Sequence, residues 1–293
     1  KYFDPRGMWS IWGAITNTVN KVVNTVKNAF TPKKTTPSKK STPSSSNTKK
    51  STPKSQLYAH GIVATRKSID LSAKKTSVLP LQEQLQTLTT PCGQDYTVTL
   101  SDGTTVLLNA ASQLVFPDVF VKEQRIVYLK GEAYFDVASD KEHPFIVKTD
   151  YFETAVLGTK FNVRSYSKID AHVTLLEGKV TVTNDKTESL ILEPGEQVTL
   201  SENGKLEKQV VDTYPYLEWQ KGYFYFDNVS LIEIMQELGR WYNVDVVFEN
   251  DEMIDYKMHF VASRTESLMY AIRNLNALGI FYVTLDGNRI IIQ

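Results

Sequence analysis

Few side chains in this sequence combine a reactive type with a useful spacing. The four histidines, His60, His143, His172 and His259, lie far apart and far from Cys92, the one cysteine. Zinc sites draw their ligands from short, characteristic spacings, so no metal is expected. No G-x-S-x-G, P-loop or H-E-x-x-H run occurs. Asp102, Glu132, Asp136 and Glu177 are the carboxylates that could pair. Each falls at an expected turn or strand face, where solvation accounts for it. Cys92 follows Pro91 in a loop-like context with no nameable base, which leaves a free thiol. Gly158-Thr159 is the one dipeptide with a reaction to offer. A threonine hydroxyl can attack the carbonyl before it and give an ester that hydrolyses, provided the surrounding structure strains the bond. The plain alternative is a glycine that bends the chain between strands. With no cofactor motif in view, no cofactor is expected, and the chain does not read as an enzyme.

The segment that must position this dipeptide is VYLKGEAYFDVASDKEHPFIVKTDYFETAVLGTKFNVR, from Val127 to Arg164. Tyr134 and Asp136 alternate with Ala133, Phe135 and Val137, the two-residue period of a strand with unlike faces. Phe145 to Val147, Tyr151 to Leu157, and Phe161 with Val163 continue the β-prone runs. From about Thr90 turn signals recur: Ser101-Asp102-Gly103-Thr104, Asn109-Ala110-Ala111-Ser112, Lys130-Gly131, Glu177-Gly178, Glu193-Pro194-Gly195 and Glu202-Asn203-Gly204. Short strands with regular turns predict an all-β domain over residues 90–212, as a sandwich, barrel or solenoid.

The pattern changes near Tyr214-Pro215. Gly222 to Phe226 reads as a strand. Ser230 and Glu233 make a capping box before a helix with Leu231, Ile234, Met235, Leu238, Trp241 and Tyr242 as its apolar stripe. Val244 to Phe248 is a strand again. A second set follows: a strand at Lys257 to Val261, a helix through Leu268, Ile272, Leu275 and Leu278 with Gly279 as its stop, and strands at Phe281 to Leu285 and Arg289 to Ile292. Leu231, Leu238, Val244 and Val246 recur as Leu268, Leu275, Phe281 and Val283, and Ser230 as Ser267. Residues 213–293 are therefore expected to be a small α+β domain of two strand–helix–strand units, with both helices on one sheet.

The chain has 293 residues, 41% of them hydrophobic, and a formal net charge of zero. That suits two domains with ordinary cores. The globular part lacks the basic excess of a nucleic-acid binder, because residues 31–55 alone hold seven lysines and no acid. No apolar run reaches the roughly 20 residues that span a bilayer, and no signal peptide is visible. Opening on Lys1 suggests a fragment. Residues 1–30 contain an amphipathic helical pattern over 8–30, with Trp9, Trp12, Ile15, Val19, Val22, Val23, Val26 and Phe30 on one side. It suits a helix on a membrane surface and equally one packed on protein. Residues 31–55 are a Lys/Pro/Ser/Thr low-complexity linker. Residues 56–89 are transitional, with a strand expected at Leu57 to Val63 and an ambiguous run from Leu79 to Leu88.

Five stretches then resemble one family in series: TVTLSDGTTVLLNAASQLVFP (97–117), LKGEAYFDVASDKEHPFIVKT (129–149), VLGTKFNVRSY (156–166), TLLEGKVTVT (174–183) and LEPGEQVTL (192–200). They resemble the periplasmic FecR domain. The C-terminal part, with Phe226, Leu231, Leu238-Gly239-Arg240-Trp241-Tyr242 and its repeat, looks like the domain that follows it in Bacteroidota-type members, which is similar to the secretin and TonB short N-terminal domain. The resemblance implies the periplasmic sensor of a membrane-anchored anti-sigma factor. Such a sensor contacts the signalling domain of an outer-membrane TonB-dependent transducer. It relays the signal to an extracytoplasmic-function sigma factor that controls iron or glycan uptake genes. The sigma factor would be met through a cytoplasmic region, and the inner membrane through an anchor, neither of which this sequence includes. In some relatives the sensor cleaves itself at a Gly-Thr bond, which by position is Gly158–Thr159.

Two docking modes follow for the transducer. Arg289, Ile290 and Ile291 would lie on an exposed edge strand that accepts a partner strand, or Arg240 and Trp241 would anchor a helix-face contact. Trp241 also falls on the apolar stripe, so core packing competes for it. The other functional classes open to the chain are a self-processing protein and a structural envelope- or carbohydrate-binding β module.

Overall fold

A computed structural model describes residues 83–293, apart from 122, 186–187 and 202, together with two short strands, β1 (Tyr2–Phe3) and β2 (Lys67–Asp70). The expected helix over 8–30, the linker over 31–55 and the strand at Leu57 to Val63 lie outside the described residues.

Thirteen further strands follow before any helix among the described residues. They are β3 (Leu85–Thr90), β4 (Tyr96–Thr99), β5 (Thr105–Leu108), β6 (Ser112–Pro117), β7 (Arg125–Asp136), β8 (Phe145–Lys148), β9 (Phe152–Val156), β10 (Lys160–Ser167), β11 (Asp170–Glu177), β12 (Val180–Asn184), β13 (Ser189–Leu192), β14 (Glu196–Leu200) and β15 (Leu206–Val210). The β4–β5 hairpin forms where Ser101-Asp102-Gly103-Thr104 predicts it. Leu100 N donates to Thr104 O at 2.8 Å, and the Asp102 carboxylate accepts from Thr104 N at 3.0 Å and Thr104 Oγ1 at 2.7 Å. Asp102 thus closes a turn, and it also pairs with Arg125 at 2.7 Å.

Strand β7 is the axis of this domain. Its first half pairs with β6 and, in parallel, with β8; its second half pairs with β5 and β10. The handover falls at Lys130-Gly131. Gly131 has φ +90°, and a Cβ there would lie 2.8 Å from Ser112 Cα, so the strand passes from one sheet to the other only because it has no side chain at that point. One sheet runs β3-β6-β7-β8-β9-β12-β13 and the other β2-β4-β5-β7-β10-β11-β14-β15. They share one core, including Val98, Leu108, Leu114, Val127, Leu129, Phe135, Phe145, Phe161, Val173 and Val182. Phe135 and Phe161 stack at 5.1 Å within it. The arrangement is a sandwich.

After β15 the chain forms α1 (Tyr214–Gln220), β16 (Tyr223–Ser230), α2 (Leu231–Tyr242), β17 (Asp245–Phe248), β18 (Lys257–Ser263), α3 (Leu268–Asn276), β19 (Val283–Asp286) and β20 (Arg289–Ile292). The repeat is real: β16-α2-β17 and β18-α3-β19 are equivalent units. Both helices touch one sheet, α2 at β17 and α3 at β19, but the strands are divided between two sheets, which the repeat does not announce. The first strands of the two units pair with each other, β16 with β18. The second strands join a separate sheet ordered β1-β17-β20-β19. Helix α2 packs against β16, β18 and β17 and is buried almost all round, Glu237 and Arg240 included. A helix covered on both sides needs apolar residues beyond one stripe, which LIEIMQELGRWY supplies. Ser230 Oγ donates to Glu233 Oε1 at 2.7 Å instead of capping a backbone N–H, whereas Ser267 accepts from Tyr270 N at 3.3 Å.

Candidate functional site

Gly158 and Thr159 sit between β9 and β10. Thr159 is buried, at 5% exposure. Its hydroxyl donates to Lys179 O at 3.1 Å, and its carbonyl accepts from Val137 N at 3.1 Å. A Cβ on Gly158 would stand 2.7 Å from Ser139 Cα. A Cβ on Gly178 would stand 2.9 Å from Thr159 Oγ1 and 3.1 Å from Gly158 O. Two glycines thus let the β11–β12 turn and the Ser139 backbone close on this one peptide bond. The hydroxyl is held by a peptide carbonyl, which orients it without taking its proton. The geometry offers positioning, and any activation must come from strain in the bond itself.

Strand β20 is not an edge. It lies between β17 and β19; Ile290 and Ile292 are fully buried, and Arg289 and Ile291 partly so. Arg289 reaches Asp286 at 3.5 Å across its own hairpin. An extended partner therefore has no access to Arg289, Ile290 and Ile291 as an open edge. The reason is that β20 takes the middle place by pairing in parallel with the distant β17, a long-range choice that local periodicity does not encode.

Arg240 and Trp241 are buried too, at 8% and 2% exposure. Trp241 is core. Its Nε1 donates to Arg264 O at 3.0 Å, and its ring meets Phe224 edge-on at 6.0 Å. Arg240 belongs to a joint between the two domains that has no counterpart in the readings from sequence. The joint starts on β7. Even-numbered positions of that strand face outward, yet Glu132 is 4% exposed. It is opposite Arg164 of β10 in the register, and Arg164 is opposite His172 of β11. Glu132 accepts from Arg164 at 2.8 Å, Asn109 Nδ2 at 2.7 Å and Asn162 Nδ2 at 2.9 Å. The expectation that solvent satisfies Glu132 is thus corrected, because α2 covers it. Glu177 does sit at the surface, paired with Lys160 at 3.0 Å.

From α2, Glu237 enters this row. Its carboxylate receives Arg240 at 2.9 Å, Arg164 at 3.1 Å and Arg264 at 3.2 Å. Arg164 and Arg240 both reach Asp170, at 2.6 and 3.4 Å, and both guanidiniums lie against the Tyr166 ring, at 5.0 and 4.3 Å. Tyr166 in turn donates to Ala110 O at 2.7 Å. Arg264 donates to Asn109 Oδ1 at 2.8 Å and lies against Trp219, Phe224 and Trp241. Asn109 therefore ties Glu132 of one domain to Arg264 of the other. Burial works against charge here, but the arginines prevail. Asp170 is held down to about 2 by Arg164 and Arg240, and Glu237 well below the usual carboxylate range by Arg240, Arg164 and Arg264. Burial, and then Arg164, lower His172 to about 4.

The remaining histidines are unlike ligands in their surroundings: His143 pairs with Asp140 at 2.8 Å and His259 with Asp227 at 3.2 Å, both at the surface. His60 lies outside the described residues. Cys92 is a half-buried free thiol in the β3–β4 turn; burial raises its pKa, and Arg240 opposes that.

Two family descriptions match the chain, FecR protein over residues 86–181 and FecR, C-terminal over residues 223–292. The chain belongs to the FecR family. Two crystal structures of a candidate anti-sigma factor from Parabacteroides distasonis ATCC 8503, at 1.65 and 2.50 Å, are similar to this FecR protein. Each is 29% identical to it, with a TM-score of 0.65, over 71% of this chain and 98% of the other. No curated protein matches it. Strands β13 to β15 lie beyond the first matched region, yet Leu192, Val198 and Leu206 belong to the same core.

Proposed function

We propose that these two domains are the periplasmic sensor of a membrane-anchored anti-sigma regulator. They receive a signal from the signalling domain of an outer-membrane TonB-dependent transducer and relay it toward an extracytoplasmic-function sigma factor. The observation that carries this reading is the succession of FecR and FecR C-terminal regions in this chain, together with its likeness to 98% of the length of the Parabacteroides protein.

With Trp241 in the core and β20 interior, the transducer is expected to meet other residues of the C-terminal domain. Leu278, Ile280, Tyr282 and Leu285 are exposed within one short stretch, Tyr282 at 59%. The adjoining edge of β19 is closed to strand addition at Val283, whose N–H and C=O are taken by the Asn276 side chain at 2.7 and 2.9 Å. Docking through side chains fits this surface better than strand pairing. The test is titration calorimetry of the full chain against the signalling domains of transducers encoded beside its gene. One of them should bind, and the double substitution Ile280→Ser, Tyr282→Ala should weaken binding at least about tenfold without shifting the melting temperature, as loss of an aromatic anchor does. Failure of every such domain to bind would reject the reading.

A second reading, self-processing, is favoured by the enclosed Gly158–Thr159 bond. Thr159 Oγ would bond to the Gly158 carbonyl carbon as the C–N bond breaks and the hydroxyl proton passes to the freed amine. Water would then split the ester and restore the hydroxyl. The mass spectrum of the incubated chain should show fragments 1–158 and 159–293, absent in Thr159→Ala. A single intact mass would reject it.

A further inference from the structure

We propose that the charged joint is a latch, which holds the C-terminal domain on the β domain by paired charge and lets the two separate as units. The charges are divided between the domains in a complementary way. Glu132 and Asp170 against Arg164 leave the β-domain side at −1, and Arg240 and Arg264 against Glu237 leave the other side at +1. Glu237 is the keystone, since all three arginines converge on it.

Three observations make this a separable contact and not an extension of either core. First, the buried apolar residues fall into two clusters. The β domain contributes Ala110 to the C-terminal cluster, and every other member is from residues 224–292. Interfaces held by polar groups open far more readily than apolar ones, because their charges are rehydrated on separation. Second, the protein groups of the joint leave three donors without a protein acceptor: Arg240 Nε, Arg264 Nε and Trp219 Nε1 are buried and find none among the described residues. Water would supply one to each on opening. Third, both faces are anchored in their own domain without the other. Glu132 and Arg164 are neighbours in the β7–β10 register, and Glu237 and Arg240 are one helical turn apart on α2. The latch stands on this geometry. Its use as the moving part of a sensor rests on the function proposed above, which the transducer titration tests separately.

The chain carries its own reporter. Cys92, the one thiol, lies within the field of Arg240. In the full chain, the rate of Cys92 modification by a maleimide should rise at least about tenfold in Glu237→Gln, which keeps the shape and removes the charge. Amide exchange should quicken together over residues 106–112 and 231–243, and stay unchanged over β12–β13 and β19–β20. Asp170→Asn, at the rim of the joint, should give a smaller rise of the same pattern and decides the matter if Glu237→Gln does not fold. Unchanged labelling and exchange would overturn the proposal. So would faster exchange throughout both domains, or failure of both variants to fold, since the charges would then be part of the folding core.

Discussion

Glu132 and Glu177 show how little a carboxylate's type says about its energetics. Both are on strands of the same sandwich. One is satisfied by Arg164, Asn109 and Asn162 beneath α2, and the other pairs with Lys160 in solvent. Exposed pairs contribute about 0–1 kcal/mol, so Glu177→Ala should leave urea unfolding almost unchanged. Glu237→Ala strands three arginines. Breaking a buried ion pair from one side costs about 3–5 kcal/mol, and separation of the domains, which rehydrates the arginines, limits the loss to the lower end of that range. Equilibrium urea unfolding of the two variants checks this contrast; equal effects would contradict it. Apart from the Glu237–Arg240 turn, these partners are far apart in sequence: Asn109 and Arg264 meet across 155 positions. That is why Glu132 reads as a surface residue and Asn109 as a mere turn residue. The signal that was present is the outward phase of Glu132 on β7, but phase alone does not say what covers it.

At the scale of elements, the handover of β7 between sheets rests on Gly131. Its positive φ and its approach to Ser112 exclude a side chain. Gly131→Ala is expected to cost at least about 2 kcal/mol, from strain and displacement of β6. Gly195 has a similar φ of +86° but open space around a Cβ, so Gly195→Ala should cost only about 1 kcal/mol. Thermal melts of the two variants measure the difference, and a Gly131→Ala melt no lower than that of Gly195→Ala would show that β7 does not depend on this approach. The repeat in the C-terminal domain was legible from leucines 37 positions apart, along with its helices and strands, although the expected Ser230–Glu233 capping box closes side chain to side chain and caps no backbone N–H. The distribution of its strands over two sheets was not. Period and propensity set an element's type, while pairing is chosen by contacts between distant segments, and so β20 became an interior strand.

At the scale of the molecule, acid should loosen the protein in two stages. His172 titrates at about 4 when folded against 6.5 when free, because burial and Arg164 disfavour its charge. Its folded pKa is lowered, so the unfolded chain binds the extra proton. The associated stability is complete above pH 6.5 and is lost as pH falls toward 4, by up to about 3 kcal/mol. Asp170, depressed from 3.8 to about 2, adds a second loss below pH 3.8. Urea unfolding at pH 7.0, 5.5 and 4.5 should show falling stability, with a shallower slope in His172→Gln. Equal slopes for both proteins would remove His172 as the cause. The acid response is thus expected to act on the sheet face that carries the joint.

By itself the sequence determined the all-β character of one domain, the repeated strand–helix–strand character of the other, their turns and the family resemblance. Each of these is written in local periodicity or in short runs of residues. Tertiary structure decided which polar residues lost their water. It turned Arg240 from an anticipated partner anchor into half of an internal ion pair, placed Trp241 in a core, and enclosed Gly158–Thr159 between Gly178 and Ser139. The physical reason is that burial, and with it the value of every charge and hydrogen bond, depends on which surfaces meet, and the hydrogen bonds across the joint link residues 73 to 155 positions apart in the chain.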